Sequence, residues 1–233
     1  MKKVLIGLFL VANLSILGAE SIGNEQNYST SINSNYYAID GSLMGMNLKE
    51  KAYFKEKTAK LGEEAEKTGK FDSKKYIELL KEYIKKYPDD DFAYEMIGTE
   101  YLKDNPKEAE KYFLKAVELG DTDTGLYSLA IVYNDDDVKL LNLKPDEKKA
   151  KIKLRDKYLK QLTDEGFTHE SLKELRNHKL AAAISGNAYS IYRLAVYYYG
   201  TKNYKLAEKY AKEFLKFDKK NPEILNILSG ASK

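Results

Sequence analysis

The chain has 233 residues, 43% hydrophobic and 32% charged, a balance that excludes a disordered chain and leaves enough length for one or two domains with a sizeable core. Lys and Arg number 39 against 36 Asp and Glu, a near-balance that singles out no polyanionic partner and gives no reason to expect nucleic acid. There is no cysteine, which excludes disulfides, cysteine-ligated zinc or iron–sulfur sites, and a lipid anchor carried on a cysteine.

At the N-terminus "MKK" supplies positive charge and Val4–Gly18 an apolar run, followed by the small residue Ala19. That order predicts a cleavable secretory signal over residues 1–19, and with it a periplasmic or secreted protein. The run falls short of the ~20 residues that span a bilayer, which disfavours its rival, an uncleaved anchor. Residues 20–46 are rich in Ser, Asn and Gly and hold no helical or strand period, so they read as a flexible polar leader with "YYAI" as its one candidate for local order.

From residue 47 to the end the pattern is helical, and Pro88, Pro106, Pro145 and Pro222 fall between helices or at their first turns. One short pattern recurs: a large aliphatic residue, then Gly or Ala, then two variable positions and usually Tyr. It runs Ile97-Gly98 to Tyr101, Leu129-Ala130 to Tyr133 and Leu194-Ala195 to Tyr198, with a weaker copy at Leu61-Gly62 to Ala65. Most copies are followed by a polar turn and a second helix with small residues on one face, as in "PKEAEKYFLKAVELG" and "YKLAEKYAKEFLKF". Two helices approach closely only where side chains are small, and one such hairpin cannot bury its own apolar face, so hairpins stack.

Over roughly residues 48–233 these units resemble tetratricopeptide repeats, with a flavour of the related Sel-like repeats. Ile97, Gly98, Tyr101, Ala109, Phe113 and Ala116 carry the likeness in one unit; Leu194, Ala195, Tyr198, Ala207 and Phe214 carry it in another. The resemblance implies an all-α, right-handed α-solenoid of stacked antiparallel hairpins. The long interval between Leu129 and Leu194 predicts an insertion over 135–166, with 169–185 as the delayed second helix of the unit that starts at 123. Asn221 and Pro222 predict a capping helix over 222–230.

Catalysis and metal binding find little support. His169 and His178 are nine residues apart on one helix and lack the H-E-x-x-H spacing. "GDTDTG" (120–125) fails the calcium-loop pattern, and Asp121 or Asp123 reads instead as a helix cap. No catalytic, cofactor-binding or metal-binding residue is assigned. In the inserted helix Lys148, Lys149, Lys151, Lys153, Arg155, Lys157 and Lys160 face only Asp156; this is a solvated lysine-rich face or, less simply, a basic patch for membrane headgroups or an acidic protein.

The resemblance implies that first helices line a concave face that holds a protein or peptide. Groove positions are then Phe92, Glu95, Thr99, Tyr127, Ile131, Tyr189, Tyr192, Arg193, Val196 and Tyr199. Tyrosines suit such a surface through large area, few torsions and a hydroxyl. The subset of the family that grips a terminal carboxylate uses Lys, Asn and Arg; Glu95 and Tyr127 depart from that set, and only Arg193 is basic. Among Tyr197, Tyr198 and Tyr199 the frame makes Tyr198 structural and Tyr199 the ligand contact. The function expected is a non-catalytic interaction module or assembly scaffold of the cell envelope. The alternatives are a helical hydrolase with paired carboxylates and a surface-exposed adhesin-like protein.

Overall fold

The computed structural model describes residue 43 and residues 45–231, apart from 103, 135 and 136. The expected signal segment and most of the expected leader lie outside these residues. The described chain is all-α, with one isolated bridge between Asn47 and Asn187. A 3-10 turn at Lys49–Lys51 leads into α1 (Ala52–Thr68), α2 (Ser73–Lys86), α3 (Asp91–Leu102) and α4 (Pro106–Leu119). Then come α5 (Thr124–Val132), a single turn α6 (Asp137–Leu140), α7 (Pro145–Asp164), α8 (His169–Ser185), α9 (Ala188–Gly200), α10 (Tyr204–Phe214) and α11 (Pro222–Ala231). No helix among the described residues is long and apolar enough to cross a membrane.

The helices start where short polar side chains can cap them. Asp72, Asn105, Asp123, Thr168, Asn187 and Asn203 each accept a bond from a backbone N–H of the first turn, and Asn221 does the same for Ile224 at the head of α11. Pro106 and Pro145 stand in first turns, where a missing N–H leaves nothing unpaired.

α3 with α4 and α9 with α10 are the most closely packed pairs. In each, a three-residue link turns the chain back on itself. In the first pair the close approach depends on Gly98: a Cβ there would stand 2.5 Å from Cε1 of Phe113. Ala109 and Ala116 of α4 are fully buried, as are Ala195 and Ala207 of the second pair. The small-residue frame read from the sequence is thus the packing frame of these two hairpins.

The middle of the chain is arranged differently from the expected order. α5 packs against α4 and α7, and only slightly against α8. Tyr133, at the end of α5, stacks on Tyr158 at 6.4 Å, lies under the Lys151 ammonium and donates to Glu110 at 2.6 Å. Ile152, Leu154 and Tyr158 of α7 close the same apolar cluster, which also holds Phe113, Leu129 and Val132. The stretch expected to be an insertion therefore covers α5, because its apolar stripe faces inward together with Lys151, while Lys149, Lys153 and Lys157 stay exposed. α8 instead runs across α1, α3, α5 and α9.

Three apolar clusters result. One gathers α1, α2 and α3, one the end of α3 with α4 to α7, and one α8 to α11 with Leu48. α8 contributes Ala183 to the first and Leu175 and Ala182 to the last.

Candidate functional site

Where α8 crosses α3, α5 and α9, the interior is charged. On α8 the buried residues Leu172, Leu175, Lys179, Ala182 and Ala183 form one stripe, so the helix that buries the leucines and alanines must bury the lysine with them. An ammonium in that position has to find anions. Lys179 Nζ donates to Asp123 Oδ1 at 2.7 Å, Asp121 Oδ1 at 2.8 Å and Thr124 Oγ1 at 2.9 Å, and lies 3.9 Å from Asp91 Oδ2. All four partners are buried, and Lys179 is wholly enclosed.

Asp121 and Asp123 are held by the start of α5. Gly125 N donates to Asp121 at 2.8 Å and Thr124 N to Asp123 at 2.6 Å, so the helix terminus faces both carboxyls. Glu95 of α3 accepts from Thr124 (2.7 Å), Ser128 (3.1 Å) and Arg176 (3.0 Å). Lys209 of α10 reaches Asp91 at 2.6 Å, and Lys51 lies 3.6 Å from Asp90, which accepts from Tyr83 at 2.7 Å. The network thereby joins the 3-10 turn, α2, α3, α5, α8 and α10.

Burial pushes Asp90, Glu95, Asp121 and Asp123 up; neighbours decide the balance. For Asp121 the Lys179 ammonium and the donated hydrogen bonds outweigh burial and bring the carboxyl down to about 2. For Asp123, burial and the Asp121 charge outweigh Lys179 and push it up to about 7. Burial also raises Glu95 against the pull of Arg176. For Lys179, burial is outweighed by Asp121, Asp123, Asp91 and Glu95, which hold it well above the usual lysine value.

The ten expected groove positions separate into two sets. Glu95, Thr99, Tyr127, Tyr189 and Arg193 do gather, but around α8. Arg176 donates to Thr99 at 3.0 Å, Tyr127 meets His169 at 3.3 Å, His178 lies edge-on to Tyr189, and Arg193 approaches Glu174 at 3.7 Å. The expected open groove is thus filled by the chain's own helix, and Phe92, under Arg176 and Lys179, is buried with Glu95. Ile131, Tyr192, Val196 and Tyr199 face apolar packing instead. Tyr192 is 1% exposed, packs on Phe214 and donates to Glu223 of α11.

The tyrosine row divides in a related way. Tyr198 is buried and stacks on Tyr210 with planes 9° apart, in keeping with a framework role. Tyr199 is not an open ligand contact: its ring lies on Tyr204, and a Cβ on Gly230 of α11 would stand 2.2 Å from its hydroxyl. Tyr197 packs on Phe167.

Among the described residues no group of three or more His, Asp or Glu side chains could hold a metal ion. Two surface features remain. A crevice of about 20 Å³ lies between Phe92, Thr99 and Arg176, and a shallow depression of about 220 Å³ lies between Tyr94 and Tyr112. On α7, Lys151, Arg155 and Lys160 are paired with Glu110, Asp156 and Asp164, while Lys149, Lys153 and Lys157 are exposed.

No family model, no curated protein and no solved structure matches this chain.

Proposed function

We propose that the protein is an exported, non-catalytic interaction module of the cell envelope, built as a right-handed, tetratricopeptide-like solenoid whose concave face recognises a helix. The observation that carries this reading is α8. The groove-facing positions Glu95, Thr99, Tyr127, Tyr189 and Arg193 engage a helix through paired charges, hydrogen bonds and ring edges. A partner protein then meets the outward face of α8, where Glu170, Lys173, Glu174 and Asn177 are exposed, with half-buried Tyr127 and Tyr189 on its two sides.

The hydrolase reading has one point in its favour: Asp121 and Asp123 converge, with one raised and one lowered. Both are buried and both bind Lys179, so no substrate atom reaches either oxygen. A general acid must lie within hydrogen-bond reach of the group it protonates.

The test is photo-crosslinking in the native envelope from a probe at Glu174, comparing wild type with Tyr127→Ala/Tyr189→Ala. Loss of one discrete crosslinked partner in a double variant with an unchanged circular-dichroism spectrum supports the reading. An undiminished crosslink in that variant, or no discrete partner from the wild type, overturns it.

A further inference from the structure

The charged centre carries more acid than base. Its buried carboxyls are Asp90, Asp91, Glu95, Asp121 and Asp123; its cations are Lys51 and Lys179, with Lys209 and Arg176 reaching in from the edge. Glu213, one turn from Lys209 on α10, adds another carboxylate on that side. A net negative charge sealed away from water is relieved by taking up a proton. Geometry says where it goes. Asp121 Oδ1 and Asp123 Oδ1 accept from the same Lys179 Nζ, at 2.8 Å and 2.7 Å, which sets the two carboxyls side by side on one ammonium. An acid–carboxylate pair fits that arrangement; two carboxylates at that distance repel.

We infer that the Asp121–Asp123 carboxyl pair is a proton-operated latch on α8: while the pair shares one proton Lys179 is locked beneath the groove, and when both are ionised the hold on α8 loosens. Beside the pair α4 brings the apolar Val117, and the other packed elements bring charge or hydroxyl. α3 brings Asp91 and Glu95, and α8 brings Arg176 besides Lys179. α9 brings Tyr197 and Tyr198, α10 brings Lys209 and Tyr210, and Glu165 lies beyond Tyr197. Only the cations favour ionisation of the second carboxyl, and Lys179 already serves both.

Asp123, at about 7, stands above the ordinary carboxylate value, so freeing α8 releases a proton between about pH 4 and pH 7. Opening then becomes up to about tenfold easier per pH unit across that window and levels off above it. Glu95 is raised and adds in the same direction. His178, on α8 itself, is lowered by burial, so its contribution is present above its ordinary value and lost as pH falls, the opposite sign. The readout is therefore a difference between chains. That a loosened α8 alters the face a partner meets rests on the function proposed above; the latch itself does not.

The experiment is hydrogen exchange of the α8 amides in the full chain from about pH 5 to pH 8.5, corrected for intrinsic exchange and referred to α3 and α4. Wild type should lose α8 protection by up to about tenfold per unit up to pH 7. Asp123→Asn should lose the Asp123 share of that slope and keep only the part due to Glu95, because its amide oxygen keeps the bonds from Lys179 and Thr124 while its NH₂ replaces the shared proton. An equal slope in the variant, or none in wild type, overturns the latch. Carbonyl-carbon NMR of the wild-type aspartates tests it independently of any variant: one carboxyl titrating near pH 7 supports it, and both ionised at pH 5 overturns it. A negative crosslinking result with a positive exchange result removes the partner and leaves the latch.

Discussion

The hairpins α3/α4 and α9/α10 and the centre they adjoin are held by opposite means. In the hairpins, glycine and alanine let two backbones approach, and large rings fill what remains; Gly98 under Phe113 is the clearest instance. At the centre, α8 is held by an enclosed ammonium among carboxylates. Apolar packing tolerates substitution in proportion to volume. A buried ion cluster does not, because removing one member leaves the others charged and unpaired. The two regions should therefore fail differently.

The largest effect is expected at the centre. Lys179→Met should destabilise the fold by about 3–5 kcal/mol in urea unfolding near pH 7, since Asp91, Glu95, Asp121 and Asp123 lose their common cation. Adding Asp121→Asn and Asp123→Asn to that variant should recover much of the loss, as neutral amides hydrogen-bond without needing an ammonium. A triple variant no more stable than Lys179→Met would break the distinction between charge and packing drawn here.

Next in size is Gly98→Ala. The added Cβ meets a fully buried ring at 2.5 Å, a clash of about 1–3 kcal/mol that outweighs the ~1 kcal/mol gained in helix propensity. Phe113→Leu in the same chain should offset part of it, and a double-mutant cycle measures the coupling. Independent, additive effects would mean that Gly98 is not a packing residue.

How much of this was legible follows the same division. The hairpins were, because Gly98 and Ala109 act within one local unit, and Leu194, Ala195 and Tyr198 within another, whose spacing the chain displays. The placement of α8 was not, because its partners on α3 and α5 lie dozens of residues away and nothing in "HESLKELRNHKLAAAIS" fixes the direction in which it crosses them. One signal was present. Lys179 falls on the apolar stripe of Leu172, Leu175 and Ala182, and an ammonium there demands buried acids. "GDTDTG" supplies them, and its failure as a calcium loop has a physical counterpart: a lysine ammonium stands among its carboxylates. The groove tyrosines misled because periodicity places a residue on a face without saying what covers that face.

The smallest effect tests α7, which belongs to neither region by its sequence. As a free-standing insertion it would contribute little to stability. As the cover of α5 it should matter through Lys151, which bridges Glu110 and Tyr133 at 27% side-chain exposure. Lys151→Ala should cost about 1 kcal/mol, a melting shift of about 2–4 °C. Lys149→Ala, on the exposed face of the same helix, should leave the melting temperature where it is. The pair removes the same charge from the same helix, so general electrostatics cancels between them and the difference reports the contact of α7 with Glu110 of α4 and Tyr133 at the end of α5. Equal shifts would return α7 to the status of an appendage and leave Tyr133 held by Glu110 without help.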